Sequence, residues 1–352
     1  MARIIQWATG SMGRTALRRV LDDPAHTLVG VKVYGAVKHG ADAGLLARRA
    51  PIGLAATTSR EEICALYADV VLHTPRITLP YAALVDDVEA LLRSGKNVVS
   101  TAGFHWPAAH GNDYAGRLHA AALAGEVTLA GVGVNPGMIV ERIALAATAM
   151  SHELNRLSVF ETVNAGPMES ADFVFGLMGL GSDPAHNDIR EGPLAELYGA
   201  LFSEVLHFAA AEMQTRISEI VPDHRLTLAP HEITIRAGTI AAGRVAGTEW
   251  RWLAKTEAGP ELLLSILWTA DLALHGPEHS GHWLIRIDGR PAITMTLDIS
   301  EDNPAKPPSR ALTDAVIAVA MRAVPDVIAA PPGLYAFRPP SAWAPPAAAA
   351  AP

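Results

Sequence analysis

The hydrophobic pattern at the start of the chain changes its period within a few residues. Residues 4–7 are dominated by β-forming apolar side chains, and a turn of small residues follows them. Beyond the turn, two sets of side chains recur at helical spacing on opposite faces: Met12, Ala16, Val20 and Leu21 on one, and Arg14, Arg18 and Asp22 on the other. The pattern predicts a strand, a tight turn and an amphipathic helix.

Short apolar runs and amphipathic segments go on alternating through the first 136 residues. Strands are predicted to begin near residues 3, 28, 69, 97 and 127, with helices over 61–67, 81–94 and 113–124. Strands that alternate with helices favour parallel pairing, because each helix carries the chain back to the same end of the sheet. We therefore predict an α/β fold in which residues 1–136 form a doubly wound parallel sheet.

The pattern of the second half is different, because strands dominate it. Strands are predicted over 157–164, 232–238, 244–254, 262–274, 282–288 and 292–299, and one long helix over 193–215. This favours a second, α+β mixed-sheet domain over residues 137–305, with a functional or mobile loop at 166–192.

The last part of the chain divides into two segments. Within residues 306–335, a helix over 310–323 is expected to return to the first domain. Residues 336–352 are rich in proline and alanine, and we predict a disordered tail there.

Composition excludes several classes of protein. The 352 residues suffice for two domains, half of them are hydrophobic, and the net charge is −8. The sequence contains no run of basic residues, so neither a nucleic-acid partner nor an anionic membrane is expected. Because no leader and no apolar span of 18 residues is evident, a cytoplasmic protein is expected. Cys64, the only cysteine, excludes an intramolecular disulfide and a cysteine metal cluster, and no metal site is predicted.

The first turn has the spacing of the G-x-G-x-x-G motif, with Ala8 in place of the first glycine. Gly10 would let a pyrophosphate approach the backbone, and Gly13 would let the helix pack closely on the strand. The N–H groups at the helix start favour a phosphate. The sequence thus predicts dinucleotide binding in a Rossmann domain, the alternative being an ordinary turn without a ligand. The predicted contacts are Thr9, Gly10, Ser11, Met12 and Gly13.

The second strand suggests which dinucleotide binds. NAD-specific Rossmann folds place a carboxylate about 20 residues after the glycines, but here Tyr34 holds that place and no carboxylate occurs between Thr27 and Gly40. Lys38 follows and would attract a 2′-phosphate. We predict that Tyr34 and Lys38 contact the cofactor and that NADP is preferred, with NAD possible as an alternative. Lys38 would otherwise be a solvated loop charge.

The ends of the later strands carry the remaining candidates. His73, Thr74, Ser100 and Thr101 are predicted cofactor contacts, because ligands collect at the carboxyl ends of parallel strands. His105 lies in the loop after such an end, and imidazole suits general acid catalysis near neutral pH.

Asn135 follows the last strand of the first half. It is predicted to orient the nicotinamide or a substrate oxygen. The alternatives are a packing role for His105 and His73, and a turn-forming role for Asn135, which precedes a proline.

With these residues named, the chain resembles the dihydrodipicolinate reductase-like oxidoreductases. The most similar branch contains 2,4-diaminopentanoate dehydrogenase and the NAD(P)-dependent amine dehydrogenases. The resemblance extends from about residue 3 to 333 and implies a Rossmann domain, a mixed-sheet substrate and dimerisation domain, a returning C-terminal helix and a homodimer. The matching stretches are residues 6–13, 31–34, 38–44, 95–100, 133–137, 323–325 and 330–333.

Two departures bear on activity. The His-His pair of true dihydrodipicolinate reductases is missing, which argues against lysine biosynthesis. The amine-forming relatives carry a glutamate just after the strand that here ends at Ser100, whereas this chain has no carboxylate in residues 101–107.

We therefore expect an NAD(P)H-dependent oxidoreductase that reduces a C=O or C=N bond of a small, fairly apolar molecule. The alternatives are an amine dehydrogenase with an altered proton handler and a catalytically silent NADP-binding sensor or scaffold.

Overall fold

The computed structural model describes residues 1–276, 279, 281–305 and 310–346. The described residues divide into two compact units, one formed by residues 1–138 with 312–337 and the other by those within 139–311 together with 338–346.

The first unit is built on a six-stranded parallel sheet in the order β2-β1-β3-β4-β5-β15. Because β2 lies on one side of β1 and β3 on the other, the chain reverses direction across the sheet next to β1. The doubly wound parallel sheet is confirmed, and β15 adds an edge strand that the sequence did not predict. The strands are β1 Ala2–Trp7, β2 His26–Lys32, β3 Val70–His73, β4 Asn97–Ser100, β5 Thr128–Gly131 and β15 Gly333–Tyr335.

Helices cover both faces of this sheet. On one face, Ile63, Val85 and Leu118 pack with the apolar side chains of the strands, and on the other Ala16 and Val324 do so. The returning helix α8 is confirmed in the first unit, although it runs through Pro325 and ends later than predicted. The helices are α1 Ser11–Asp22, α2 Ala43–Leu46, α3 Arg60–Ala65, α4 Val85–Arg93, α5 Asn112–Ala124 and α8 Arg310–Ala329.

The second unit contains a mixed sheet in the order β14-β13-β6-β12-β11-β7, and β8 also pairs with β11. Strands β6 and β12 run parallel and the other pairs are antiparallel, which confirms the predicted mixed-sheet domain. The strands are β6 Glu153–Asn164, β7 Ile217–Pro222, β8 Arg225–Leu228, β11 Val245–Thr256, β12 Glu261–Thr269, β13 Trp283–Arg290 and β14 Ile293–Leu297, with a separate hairpin of β9 Ile233–Ile235 and β10 Gly238–Ile240.

Several details of this unit differ from the sequence prediction. Strands β7 and β8 were missed because they are mostly half-exposed and alternate weakly. The strand predicted over 232–238 is a short hairpin arm, because Gly238 has a left-handed backbone (φ 149°) and begins the return strand. Residues 272–274 form a 3₁₀ turn rather than the end of β12.

The helical parts of the second unit are α6 Leu145–Thr148 and α7 Pro193–Glu212. A π-helical turn, Ile139–Ala144, precedes α6, and a second one, Asp172–Leu177, lies inside the segment predicted to be a loop. Helix α7 packs on the sheet through aromatic contacts, such as Phe202 with Trp252 at 5.1 Å between ring centroids.

The prediction of a disordered tail is wrong for residues 336–346. Trp343 is buried in the second unit, where its backbone N–H donates to Thr148 Oγ1 at 2.9 Å and its indole N–H to the carbonyl of His152 at 3.2 Å. One large aromatic side chain thus anchors a segment whose composition alone predicts disorder. Residues 347–352 and the predicted linker at 306–309 lie outside the described residues.

Among the described residues, no helix combines the length and the apolar character that are needed to span a bilayer.

Candidate functional site: a dinucleotide turn and the strand ends beside it

The first turn connects β1 to α1 at the point where the sheet reverses its winding. Gly10 precedes the first residue of α1, and it has no side chain with which to cap the free N–H groups of that helix end. A Cβ placed on Gly10 would meet no atom within 4 Å. An open approach to an uncapped helix N-terminus fits a phosphate group, so the residues present suit a dinucleotide.

Gly13 is required for the opposite reason, which is lack of space. A Cβ there would lie 2.1 Å from the carbonyl oxygen of Ala8 and 2.9 Å from Thr74 Oγ1. The helix therefore packs on the end of β1 at a distance that no other residue allows, as the motif predicts.

Ala8 occupies the place of the first glycine and keeps a left-handed backbone, with φ of 75°. This conformation costs an alanine about 1–2 kcal/mol, because Cβ crowds the following carbonyl. The surrounding contacts must therefore hold the turn in place.

Buried polar groups lie directly beneath this turn. Gln6 is fully buried and its Nε2 donates to the carbonyl oxygens of Ala8 at 2.9 Å and Trp7 at 3.2 Å, and to Thr74 Oγ1 at 2.8 Å. The Thr74 hydroxyl in turn donates to the carbonyl of Trp7 at 3.1 Å. Two side chains on neighbouring strands thus fix the backbone from below.

Lys38 lies over the same turn, because its ammonium donates to both the carbonyl and the hydroxyl of Thr9, each at 3.1 Å. The sequence predicted Thr9 and Lys38 as separate cofactor contacts, and the structure brings the two together.

Tyr34 follows β2 and is half-exposed, and its hydroxyl accepts a hydrogen bond from the Trp7 indole at 2.9 Å. The buried ammonium of Lys32 lies 4.7 Å from the Tyr34 ring centroid and 5.2 Å from that of Trp7. Burial lowers the pKa of Lys32 and raises the pKa of Tyr34. One face of the exposed phenol is therefore backed by a cation beside the predicted dinucleotide turn.

His73 and Ser100 end two adjacent strands and are joined by a hydrogen bond of 2.9 Å between Nδ1 and Oγ. The His73 ring is fully buried between Trp7 and Phe104, with centroid distances of 6.1 and 6.3 Å. Burial lowers the pKa of His73 to about 3, so the ring is neutral. Its side chain is thus enclosed by protein at the strand end.

The loop after β4 folds over the end of β5. The backbone N–H of Thr101 donates to the carbonyl of His73 at 2.9 Å, and that of Gly131 donates to the carbonyl of Phe104 at 3.1 Å. Phe104 has a left-handed backbone, with φ of 68°. The loop is therefore fixed at both ends of residues 101–104.

His105 follows Phe104 and is buried, with 7% of its surface exposed. A Cβ on Gly133 would lie 3.9 Å from His105 Cε1 and 2.4 Å from the carbonyl oxygen of Pro136. The histidine and the turn that carries Asn135 thus meet at Gly133. Two strand-end loops that the sequence predicted separately come together there.

Two buried residues of this region were missed by the sequence analysis. Gln6 and Lys32 sit in strands whose other residues are mostly apolar, and that polarity within a buried strand was the available indication. In the described part of the chain, no group of three or more His, Cys, Asp or Glu side chains is placed to hold a metal ion.

No family model matches the chain. An amine dehydrogenase of Streptomyces virginiae is 22% identical over 346 residues, which cover 95% of each protein. The structure of an amine dehydrogenase from Mycobacterium smegmatis is similar with a TM-score of 0.75 and 20% identity, covering 95% of this chain and 94% of that one.

A scyllo-inositol dehydrogenase from Lactobacillus casei, with bound NAD(H) and scyllo-inositol, has a TM-score of 0.54 at 13% identity, covering 93% and 89% of the two chains. These findings confirm the resemblance seen in the sequence: the chain is similar to amine dehydrogenases over nearly its whole length and shares the fold of NAD-binding dehydrogenases.

Proposed function

We propose that this protein is an NAD(P)H-dependent oxidoreductase that reduces a C=O or C=N bond of a small, fairly apolar molecule. The observation that carries the proposal is the turn from β1 to α1. Its helix end is open at Gly10 and tightly packed at Gly13, and it lies where the sheet reverses its winding. The whole-length similarity to amine dehydrogenases supports the same class of reaction.

The predicted residues of the turn and of the next strand ends have roles in this proposal. The backbone from Thr9 to Gly13 would hold the pyrophosphate. At the carboxyl ends of the next two strands, Thr74, Ser100 and Thr101 would contact other parts of the cofactor. His73 was predicted to contact the cofactor, but its side chain is fully buried, so we propose that it acts through its hydrogen bond to Ser100 instead. When it is bound, the nicotinamide cofactor supplies the hydride.

We further propose that His105 donates the proton and that Asn135 orients the reacting carbonyl or the nicotinamide amide. In ketone reduction the carbonyl carbon gains a hydride and the oxygen gains a proton. Their common position beside Gly133 supports placing both residues at one reacting group.

The preferred cofactor in this proposal is NADP. No carboxylate occurs between Thr27 and Gly40, and the Lys38 ammonium lies on the dinucleotide turn, where a 2′-phosphate would find a cation. NAD(H) is bound by the Lactobacillus casei relative, so the preference has to be measured for this chain.

The second candidate is reductive amination, which the names of two similar proteins favour. A carboxylate in the loop after β4 would hold ammonium or an iminium cation, and residues 101–107 contain none. His105 can donate a proton to a ketone oxygen but supplies no negative charge to hold an iminium cation, so we propose that carbonyl reduction dominates.

The deciding experiment follows NADPH oxidation by the purified protein with a panel of ketones and aldehydes, in plain buffer and in ammonium buffer. Turnover in plain buffer is the expected result. Turnover that appears only with ammonium would make the protein an amine dehydrogenase. Tight NADPH binding without turnover on any substrate would support the silent binding protein instead.

We also propose that the protein is a homodimer formed through the mixed sheet of the second unit. Strand β12 carries apolar side chains on both faces, and in β14 apolar side chains alternate with threonines, so that one face is apolar. A symmetric pair is the commonest way to cover an open sheet. Light scattering at micromolar concentration should give twice the chain mass, and a monomer mass would contradict the proposal.

A further inference from the structure

The dinucleotide turn has Ala8 in place of the first glycine of its motif, and Gln6 donates a hydrogen bond to the carbonyl of that alanine. In the G-x-G-x-x-G motif the first glycine allows a tight turn, because glycine adopts a left-handed backbone without steric cost. Here the turn keeps that conformation at Ala8, with φ of 75°. Something other than the residue type must therefore stabilise it.

The contacts of Gln6 are suited to that task. Its Nε2 lies 2.9 Å from the Ala8 carbonyl oxygen and 3.2 Å from that of Trp7, so one amide group binds the carbonyls on both sides of the strained residue. The carbonyl of Ala8 is also the atom that faces Gly13 most closely. Fixing this oxygen therefore fixes the distance between the strand end and the start of α1.

Thr74 completes the support. Its hydroxyl accepts from Gln6 at 2.8 Å and donates to the carbonyl of Trp7 at 3.1 Å, and it lies 2.9 Å from the position that a Gly13 Cβ would take. Gln6 lies in β1, and Thr74 directly follows the last residue of the adjacent strand β3. The support is therefore built into the sheet and leaves the outward N–H groups of the turn available to a ligand.

We infer that Gln6 is a positioning residue for the cofactor: it holds Ala8 in the left-handed conformation and thereby preorganises the turn for a pyrophosphate. The inference rests on the proposed dinucleotide function and deepens it. The inference differs from a purely stabilising role for Gln6 in one respect. If Gln6 only stabilised the fold, the effect of replacing it would not depend on which residue stands at position 8.

The test is a double-mutant cycle of Gln6→Met and Ala8→Gly, with NADPH and NADH binding measured by titration calorimetry and the thermal midpoint measured without cofactor. Gln6→Met keeps the length of the side chain and removes its donors. It should weaken dinucleotide binding by about 5- to 30-fold, the equivalent of the strain of a left-handed alanine. Ala8→Gly in that background should recover most of the lost affinity, because glycine needs no support there.

Two further variants complete the experiment: one tests the same hydrogen-bond network, and the other controls for a loss of stability alone. Thr74→Val removes the hydroxyl of the same network while keeping the side-chain shape, and it should also weaken binding. Thr128→Val removes a buried hydroxyl at the other end of the parallel sheet, where it donates to the carbonyl of Pro331 at 3.0 Å. It should lower the thermal midpoint without weakening dinucleotide binding.

The possible outcomes distinguish a failure of the proposed dinucleotide function from a failure of the inference about Gln6. Wild-type protein that binds neither dinucleotide overturns both the proposed function and the inference. Wild-type protein that binds, while Gln6→Met binds equally well, overturns the inference alone. The same holds if Gln6→Met weakens binding and Ala8→Gly restores none of it.

Discussion

Two turns at the carboxyl end of the same sheet stabilise a left-handed residue that is not glycine, and they do so by different contacts. The turn after β1 and the loop after β4 each contain a left-handed residue that is not glycine, namely Ala8 (φ 75°) and Phe104 (φ 68°). Phe104 has a large side chain, which is buried in the core of the first unit and anchors the loop by apolar packing. Ala8 has no such side chain, and hydrogen bonds from Gln6 hold it instead.

The difference corresponds to what each turn is proposed to do. A turn that binds a phosphate must keep its N–H groups pointing towards the ligand. The hydrogen bonds that stabilise the turn therefore have to come from the sheet side. The loop after β4 carries a side chain for chemistry, so its backbone can be fastened to β5 through Gly131. Four sets of variants test that difference between a binding turn and a chemical loop, and those that should change the protein most come first.

Gly13→Val should abolish dinucleotide binding. The added carbons would overlap the carbonyl of Ala8 and push α1 away from the sheet, because a Cβ there already lies only 2.1 Å from that oxygen. Calorimetric titration with NADPH measures the effect, and circular dichroism checks the fold. The matched control is Gly116→Ala in α5, where a Cβ meets no atom within 4 Å and binding should be unchanged. A folded Gly13→Val protein with wild-type affinity would refute the binding turn.

His105→Ala should slow the chemical step by roughly 10²–10⁴-fold, the usual contribution of a general acid, while leaving cofactor affinity unchanged. Single-turnover oxidation of bound NADPH with a ketone substrate isolates this step. His186→Ala serves as the control, because this histidine of the second unit is 84% exposed. If His105→Ala keeps full activity, the residue only packs, and the loop after β4 is not the chemical loop.

Lys38→Met should weaken NADPH binding by about 1.5–3 kcal/mol, the size of a charge-assisted hydrogen bond, and leave NADH binding nearly unchanged. Titration of both cofactors against wild type and variant measures the difference. Equal losses of affinity for the two cofactors would mean that Lys38 only stabilises the turn through its hydrogen bonds to Thr9.

Near neutral pH, the smallest effect is the one that the buried His73 has on stability. Its pKa is lowered from 6.5 to about 3 in the folded protein, so below pH 6.5 the unfolded chain gains a proton that the folded one does not. Stability should therefore be complete above pH 6.5 and fall on acidification towards pH 3, by at most about 1.4 kcal/mol per pH unit from this residue.

His73→Asn keeps a polar group near Ser100 but does not titrate. Chemical denaturation at several pH values should show that the free energy of unfolding falls less steeply on acidification for His73→Asn than for wild type. Equal slopes would show that His73 is protonated in the folded protein or exposed.

The fold was largely predictable from the sequence, since it depends on local periodicity. Alternation of apolar runs and amphipathic segments was enough for the doubly wound sheet, the mixed second sheet and the returning helix α8. The prediction failed where local pattern is weak or misleading. Strands β7 and β8 alternate poorly, and Trp343 anchors a tail whose composition suggested disorder.

In the candidate site, the residue types follow from the sequence alone: glycines at 10 and 13, no carboxylate between Thr27 and Gly40, and His105 and Asn135 in strand-end loops. Their arrangement depends on the fold, because the contacts that position them join residues far apart in the chain. Gln6 bonds to Thr74 across 68 positions and His73 to Ser100 across 27, and no local pattern encodes such pairs. The left-handed conformation of Ala8 likewise follows from its neighbours in space, since alanine has no preference for it.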